Sequence, residues 1–192
     1  MKFAAVRCAT LALGLLAVAG AAQAHEEIFA TSLSGAAEIP AVTTPASGWA
    51  TVTFDLDLVT MRVQVDFANL IGNVTASHIH ANLSLPITSN FGVATQLPSF
   101  TGFPLGVTSG SYDQTFDMAL PGSYNPAFIT ANGGTVSSAF EALLNAHRQS
   151  RAYLNIHTTF RSSGEIRGYL PSPSAAGLLL MGGLAAGRRR RA

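Results

Sequence analysis

Three of the chain's five histidines fall in two short strings, and imidazole is the side chain here best suited to chemistry. The strings are Ser77-His78-Ile79-His80 and Tyr153-Leu154-Asn155-Ile156-His157-Thr158, the second followed by Gly164-Glu165-Ile166-Arg167-Gly168. Successive residues of an extended strand point to opposite faces. With Ile79, Leu154, Ile156 and Ile166 toward a core, the other face carries His78, His80, Asn155, His157, Glu165 and Arg167. A His-x-His pair, with Cβ atoms roughly 7 Å apart along the strand, can grip one metal ion. Neutral imidazole suits copper, zinc or nickel. A third histidine from a neighbouring strand would complete a three-ligand site with an open position, the arrangement of catalytic zinc. The metal reading therefore names His78, His80 and His157. A second reading gives these histidines to loop-backbone hydrogen bonds at the sheet edges. It leaves Asn155, Glu165 and Arg167 as a polar surface cluster, with Glu165 pairing Arg167 or Arg161.

The other two histidines are weaker candidates. His147 shares a helical stripe with Phe140, Leu143 and Leu144, which reads as a packed or capping histidine. His25 would become the N-terminal residue after leader cleavage, where its amine and ring together could chelate copper. No Gly-x-Ser-x-Gly elbow, phosphate-binding glycine loop or His-Glu-x-x-His string is present, so no catalytic residues are assigned. Asp55, Asp57 and Asp66 alternate outward and read as a solvated face.

The elements that must position these side chains are strands. Thr51–Leu58 and Met61–Phe67 alternate polar and apolar residues with period two, and a turn near Val59 and Thr60 makes them a hairpin. Further strands are expected at Ile28–Leu33, Thr75–Asn82, Tyr112–Leu120, Ala152–Thr158 and Glu165–Leu170. Short strands at this spacing predict an all-β domain, a β-sandwich or a Greek-key barrel. One short helix is expected near 136–147, capped at Gly134-Thr135. Residues Ser84 to Gly110, with Pro86, Pro98 and Pro104, form a long loop whose Phe91, Phe100 and Phe103 fold back over the core.

Composition bounds the rest. The chain has 192 residues, 48% hydrophobic and 11% charged, which excludes a disordered polymer. Its single cysteine, Cys8, excludes a disulfide framework and cysteine-based metal sites. Between His25 and Leu170, five arginines face ten acids, leaving a net charge of −5 that argues against a nucleic-acid partner.

Both ends read as processing segments. Residues 1–24 have the layout of a secretory signal: Lys2 and Arg7, an apolar run from Leu11 to Ala22, then Ala22-Gln23-Ala24, with cleavage after Ala24. An uncleaved anchor is the alternative. Residues 171–192 comprise Pro171-Ser172-Pro173-Ser174, an apolar glycine-rich run and four arginines. The run falls short of the ~20 residues of a stable membrane span, and the basic stop beside it would hold its tail in the cytoplasm. This tail resembles the PEP-CTERM sorting signals of Gram-negative bacteria, with Ser172 where glutamate is usual. The resemblance implies transient membrane insertion and an exosortase as processing partner beside signal peptidase. A plain C-terminal anchor is the alternative. Residues 25–170 remain as one domain.

The order of motifs across that domain resembles the CHRD domain family. Leu33-Ser34-Gly35-Ala36-Ala37-Glu38-Ile39-Pro40 opens it, and the hairpin from Gly48 to Phe67 follows. Thr75-Ala76-Ser77-His78-Ile79-His80, the Tyr153–Thr158 string and Gly164–Gly168 complete it. Ala81 stands where the family usually has glycine. The resemblance implies a secreted immunoglobulin-like β-barrel with no established enzymatic activity. The His-x-His strand is also similar to that of copper–zinc superoxide dismutases, without the rest of their ligand pattern. Two functions are expected. One is an exported, non-catalytic binding or structural β domain at the cell surface or in the matrix of a Gram-negative bacterium, with exopolysaccharide or a surface protein as partner. The other is a copper- or zinc-binding, redox-active protein using His78, His80 and His157.

Overall fold

A computed structural model describes residues 25–170. Seven antiparallel strands form one continuous sheet: β1 (Glu26–Ser34), β2 (Ser47–Asp55), β3 (Thr60–Ala68), β4 (Val74–Ala81), β5 (Gly110–Asp117), β6 (Ala152–Thr158) and β7 (Ile166–Tyr169). Their order across the sheet is β4-β6-β7-β1-β2-β3-β5. The sheet curls into a half-barrel, so the all-β expectation holds.

Period-two alternation builds the first half. In β2, Ala50, Val52 and Phe54 are fully buried, and in β3 so are Met61 and Val63. Their neighbours Trp49, Thr51 and Thr53, and Arg62, Gln64 and Asp66, point the other way. The hairpin turns where expected: the Asp55 carboxylate accepts from the amides of Asp57 and Leu58, and Val59 takes the left-handed conformation (φ 52°).

The concave side is filled by α2 (Val136–Arg148), close to the helix read from the sequence. Thr135 caps it, accepting from the Ser138 amide in a capping box. Phe140, Leu143, Leu144 and His147 are all buried on its apolar stripe. A six-residue helix, α1 (Pro126–Ala131), precedes it, a second helix beside the one expected. It is too short for a periodic signal, and its local cues were the Asn125 cap and Pro126 in the first turn.

The long loop closes the gap beyond β4. Ala94 and Phe100 donate backbone hydrogen bonds to Ile79 and Ser77, and Gly106 to Val74. Phe91, Phe100 and Phe103 are buried, as expected. This loop, laid along an edge strand, supplies the lid of the site below.

Candidate metal centre

The register of β4, β6 and β7 fixes which side chains share a face. His78 pairs with Asn155 and Asn155 with Arg167, His80 pairs with Tyr153, and His157 pairs with Ala76 beyond a register shift at Val74/Ala76. His78, His80, Asn155, His157 and Arg167 therefore stand together, opposite the fully buried Ile79, Leu154, Ile156 and Ile166.

The expected polar surface cluster is not at the surface. Asn155, Glu165 and Arg167 are buried, as are His78 and His80, and only His157 is partly open. Alternation shows which side chains share a face but not what covers it. Here the cover is the Glu38–Thr44 segment and the 90–98 stretch of the long loop. The expected pairing of Glu165 with Arg167 or Arg161 is also corrected. Glu165 accepts from the Thr44 hydroxyl at 2.6 Å, the Ile71 amide at 2.7 Å, the Thr158 hydroxyl at 2.8 Å and the Gly72 amide at 3.2 Å. Burial works to raise this carboxyl, and the four donors outweigh it and hold it below the usual carboxylate range.

Arg167 instead meets Glu38 of the Leu33–Pro40 string, a residue whose type and spacing alone carry no sign of this role. Its Nε donates to Glu38 Oε2 at 2.6 Å and its Nη2 to Asn90 Oδ1 at 2.7 Å. The Asn155 amide donates to the other Glu38 oxygen at 2.8 Å. Burial raises the Glu38 carboxyl against the opposing pull of Arg167 and Asn155. The guanidinium also lies 4.3 Å from the centre of the Tyr153 ring, and the His80 ring stacks on Tyr153 at 4.9 Å.

The three imidazoles converge. Each offers a ligand nitrogen, and these atoms all lie within 4.8 Å of one another. Each ring is held by one hydrogen bond to a backbone carbonyl: His78 Nε2 to Pro98 at 2.6 Å, His80 Nδ1 to Phe91 at 2.8 Å, and His157 Nδ1 to Ser162 at 2.8 Å. A carbonyl only accepts, so those nitrogens carry the protons. The opposite nitrogens, His78 Nδ1, His80 Nε2 and His157 Nε2, then present lone pairs, and all three are buried without a hydrogen-bond partner. Burial depresses all three rings, His80 down to about 3, with added repulsion from His157 at His78 and His80 and from Arg167 at His80 and His157, so they are neutral near pH 7.

Three neutral nitrogens, each on a ring oriented by the one hydrogen bond it donates from its far side, could hold a transition metal. With the nitrogens no more than 4.8 Å apart, an ion at their centre sits no more than about 2.8 Å from each, against the ~2.0–2.1 Å of a zinc–imidazole bond. Hydrogen bonds from these histidines to loop backbones were the second expectation from sequence, and they are present; which carbonyls they reach could not be read, since a backbone acceptor leaves no residue-type signal.

Two other sequence candidates lie elsewhere. His147 is fully buried between Phe29 and Phe54, its Nδ1 donating to Leu143 one turn back. His25 is exposed, with its backbone nitrogen donating to Asp57. The cleavage residues Ala22 and Ala24 and the sorting motif Pro171, Ser172, Pro173 and Ser174 lie outside the described residues.

A curled antiparallel sheet with a roofed polar face and a converging histidine triplet defines the class: an all-β domain with a candidate three-imidazole centre. Residues 29–170 match the CHRD domain family, and the chain belongs to that family. No curated protein and no solved structure matches it.

Proposed function

We propose that this CHRD domain is an extracellular, non-catalytic binding module that holds one copper or zinc ion through His78, His80 and His157. One observation carries the reading: three histidines bring a ligand nitrogen each within 4.8 Å of the others, and each keeps one buried nitrogen with no hydrogen-bond partner. Buried polar atoms are nearly always satisfied, and histidines serving only as struts for the loop would not need to aim their second nitrogens at a common point. A cation shared among them removes that cost. Copper would add one-electron redox chemistry to the site; zinc would add none.

The secretory leader and the sorting-signal-like tail support the setting, an exported protein of the cell surface or matrix of a Gram-negative bacterium. Signal peptidase and an exosortase are its proposed processing partners. The test is the metal content of the exported, untagged protein, followed by calorimetric titration with Cu²⁺ and Zn²⁺ beside the His78→Ala/His80→Ala variant. Stoichiometric binding that disappears in the variant supports the reading. No binding by a folded wild-type protein overturns it and leaves the histidines as supports for the loop.

A further inference from the structure

Among the described residues, the polar face that the loops roof over at β4, β6 and β7 continues uncovered across β1, β2, β3 and β5. Register arranges its side chains in rows. Ser32, Trp49, Asp66 and Ser111 lie abreast, and the next rows run Ala30-Thr51-Gln64-Asp113 and Ile28-Thr53-Arg62-Thr115. Trp49 is the only tryptophan of the chain, and 53% of its surface is open to solvent. Two shallow depressions lie on this face. One, of about 510 Å³, is lined by Ser47, Trp49, Asp66 and Ser111 among others. The other, of about 350 Å³, includes Thr51, Thr53, Arg62 and Gln64.

We infer that this open face binds a neutral polysaccharide chain, with Trp49 as the stacking platform. An exposed indole offers a flat apolar surface with a negative π face, which attracts the polarised C–H bonds of a sugar ring. Hydroxyls from Ser32 and Ser111 and the Asp66 carboxylate stand beside it in the same row, a set suited to exchanging hydrogen bonds with sugar hydroxyls. Charge selects among glycans. Among the described residues the face carries Asp66, Asp113, Glu26 and Asp55, while its one cation, Arg62, is held by Asp113 through two hydrogen bonds. Anionic polysaccharides are repelled, and neutral ones are not. The polar rows also disfavour a second copy of the chain or a lipid surface, each of which needs a broad apolar patch. This site is separate from the histidine centre, with Trp49 three strands from β6 across the sheet.

Because Trp49 is the only indole, its own emission reports the site. The full chain is run in native gels containing hydroxyethyl cellulose, dextran or laminarin, with alginate as the anionic comparison, and its tryptophan emission is followed during titration. Retardation by at least one neutral polysaccharide, a blue shift of the emission, and no retardation by alginate are expected. Trp49→Ala should weaken binding by about tenfold or more, the loss expected of a central aromatic anchor. Its melting temperature and zinc titration should match wild type. Asp66→Ala should weaken binding less while keeping the emission shift, which tests the site even if the tryptophan variant fails to fold. No retardation by any of the three neutral chains, equal retardation by alginate, or a folded Trp49→Ala that binds like wild type would overturn the inference. So would an emission shift that depends only on protein concentration, which would mark self-association.

Discussion

Arg167 on β7 and Glu38, just after β1, are 129 residues apart and form a buried ion pair with Nε 2.6 Å from the carboxylate. The pair ties the first loop of the domain to its last strand, and Asn155 and Asn90 bind its two ends. Removing one partner of such a pair leaves a charge buried without compensation. Arg167→Ala should therefore cost about 3–5 kcal/mol in urea unfolding. The Arg167→Met/Glu38→Gln double variant should cost clearly less than the sum of its singles, because neither charge is then stranded. Additive losses would show that the two residues act independently.

Metal binding should appear as stability. Zn²⁺ at about 100 times its dissociation constant should stabilise the folded chain by about 2.7 kcal/mol, read as a rise in melting temperature. His157→Ala, which removes the least buried of the three ligands, should abolish most of that rise while changing the metal-free melting temperature little. A rise of equal size in His157→Ala would place the ion elsewhere.

Acid should loosen the fold through His147. Burial holds this imidazole down to about 4 in the folded state, against 6.5 as its ordinary value. The rings packed against it are Phe29 and Phe54, neither of them charged. Between those pH values the unfolded chain binds a proton that the folded chain refuses, so stability falls as pH drops. The contribution is complete above pH 6.5, fades toward pH 4 and is worth about 3 kcal/mol. His147→Leu should flatten that part of the stability–pH curve relative to wild type, measured by urea unfolding at closely spaced pH values. An unchanged acid limb would assign the effect to other groups.

Gly164 sets how closely the turn before β7 approaches the network. Its φ is +124°, and a Cβ there would lie 2.3 Å from Asn155 Nδ2 and 2.7 Å from Glu38 Oε1. Gly164→Ala should displace Asn155 or Glu38 and lower the melting temperature by several degrees, about 1–3 kcal/mol of combined strain and lost contact. Thermal melting beside the harmless Gly122→Ala, where a Cβ meets nothing within 4 Å, checks it.

Much was legible in the residues themselves. Alternation in Thr51–Phe67 gave the hairpin, the Phe140–His147 stripe gave the helix, and parity placed His78, His80 and His157 on one face. These features are local, with periods of two and about 3.6 residues, so neighbouring positions carry the signal. The family resemblance rested on the same strings and agrees with the match over residues 29–170. Tertiary structure alone decided that this face is buried at one end of the sheet and open at the other. His78 and His80 take their orienting carbonyls from Pro98 and Phe91, 20 and 11 residues downstream. Arg167 takes its counter-charge from the other end of the domain. Periodicity specifies which side chains point the same way, but the loop that covers them is chosen by packing between distant segments. That choice makes a solvated-looking row of polar residues into a buried, oriented donor set.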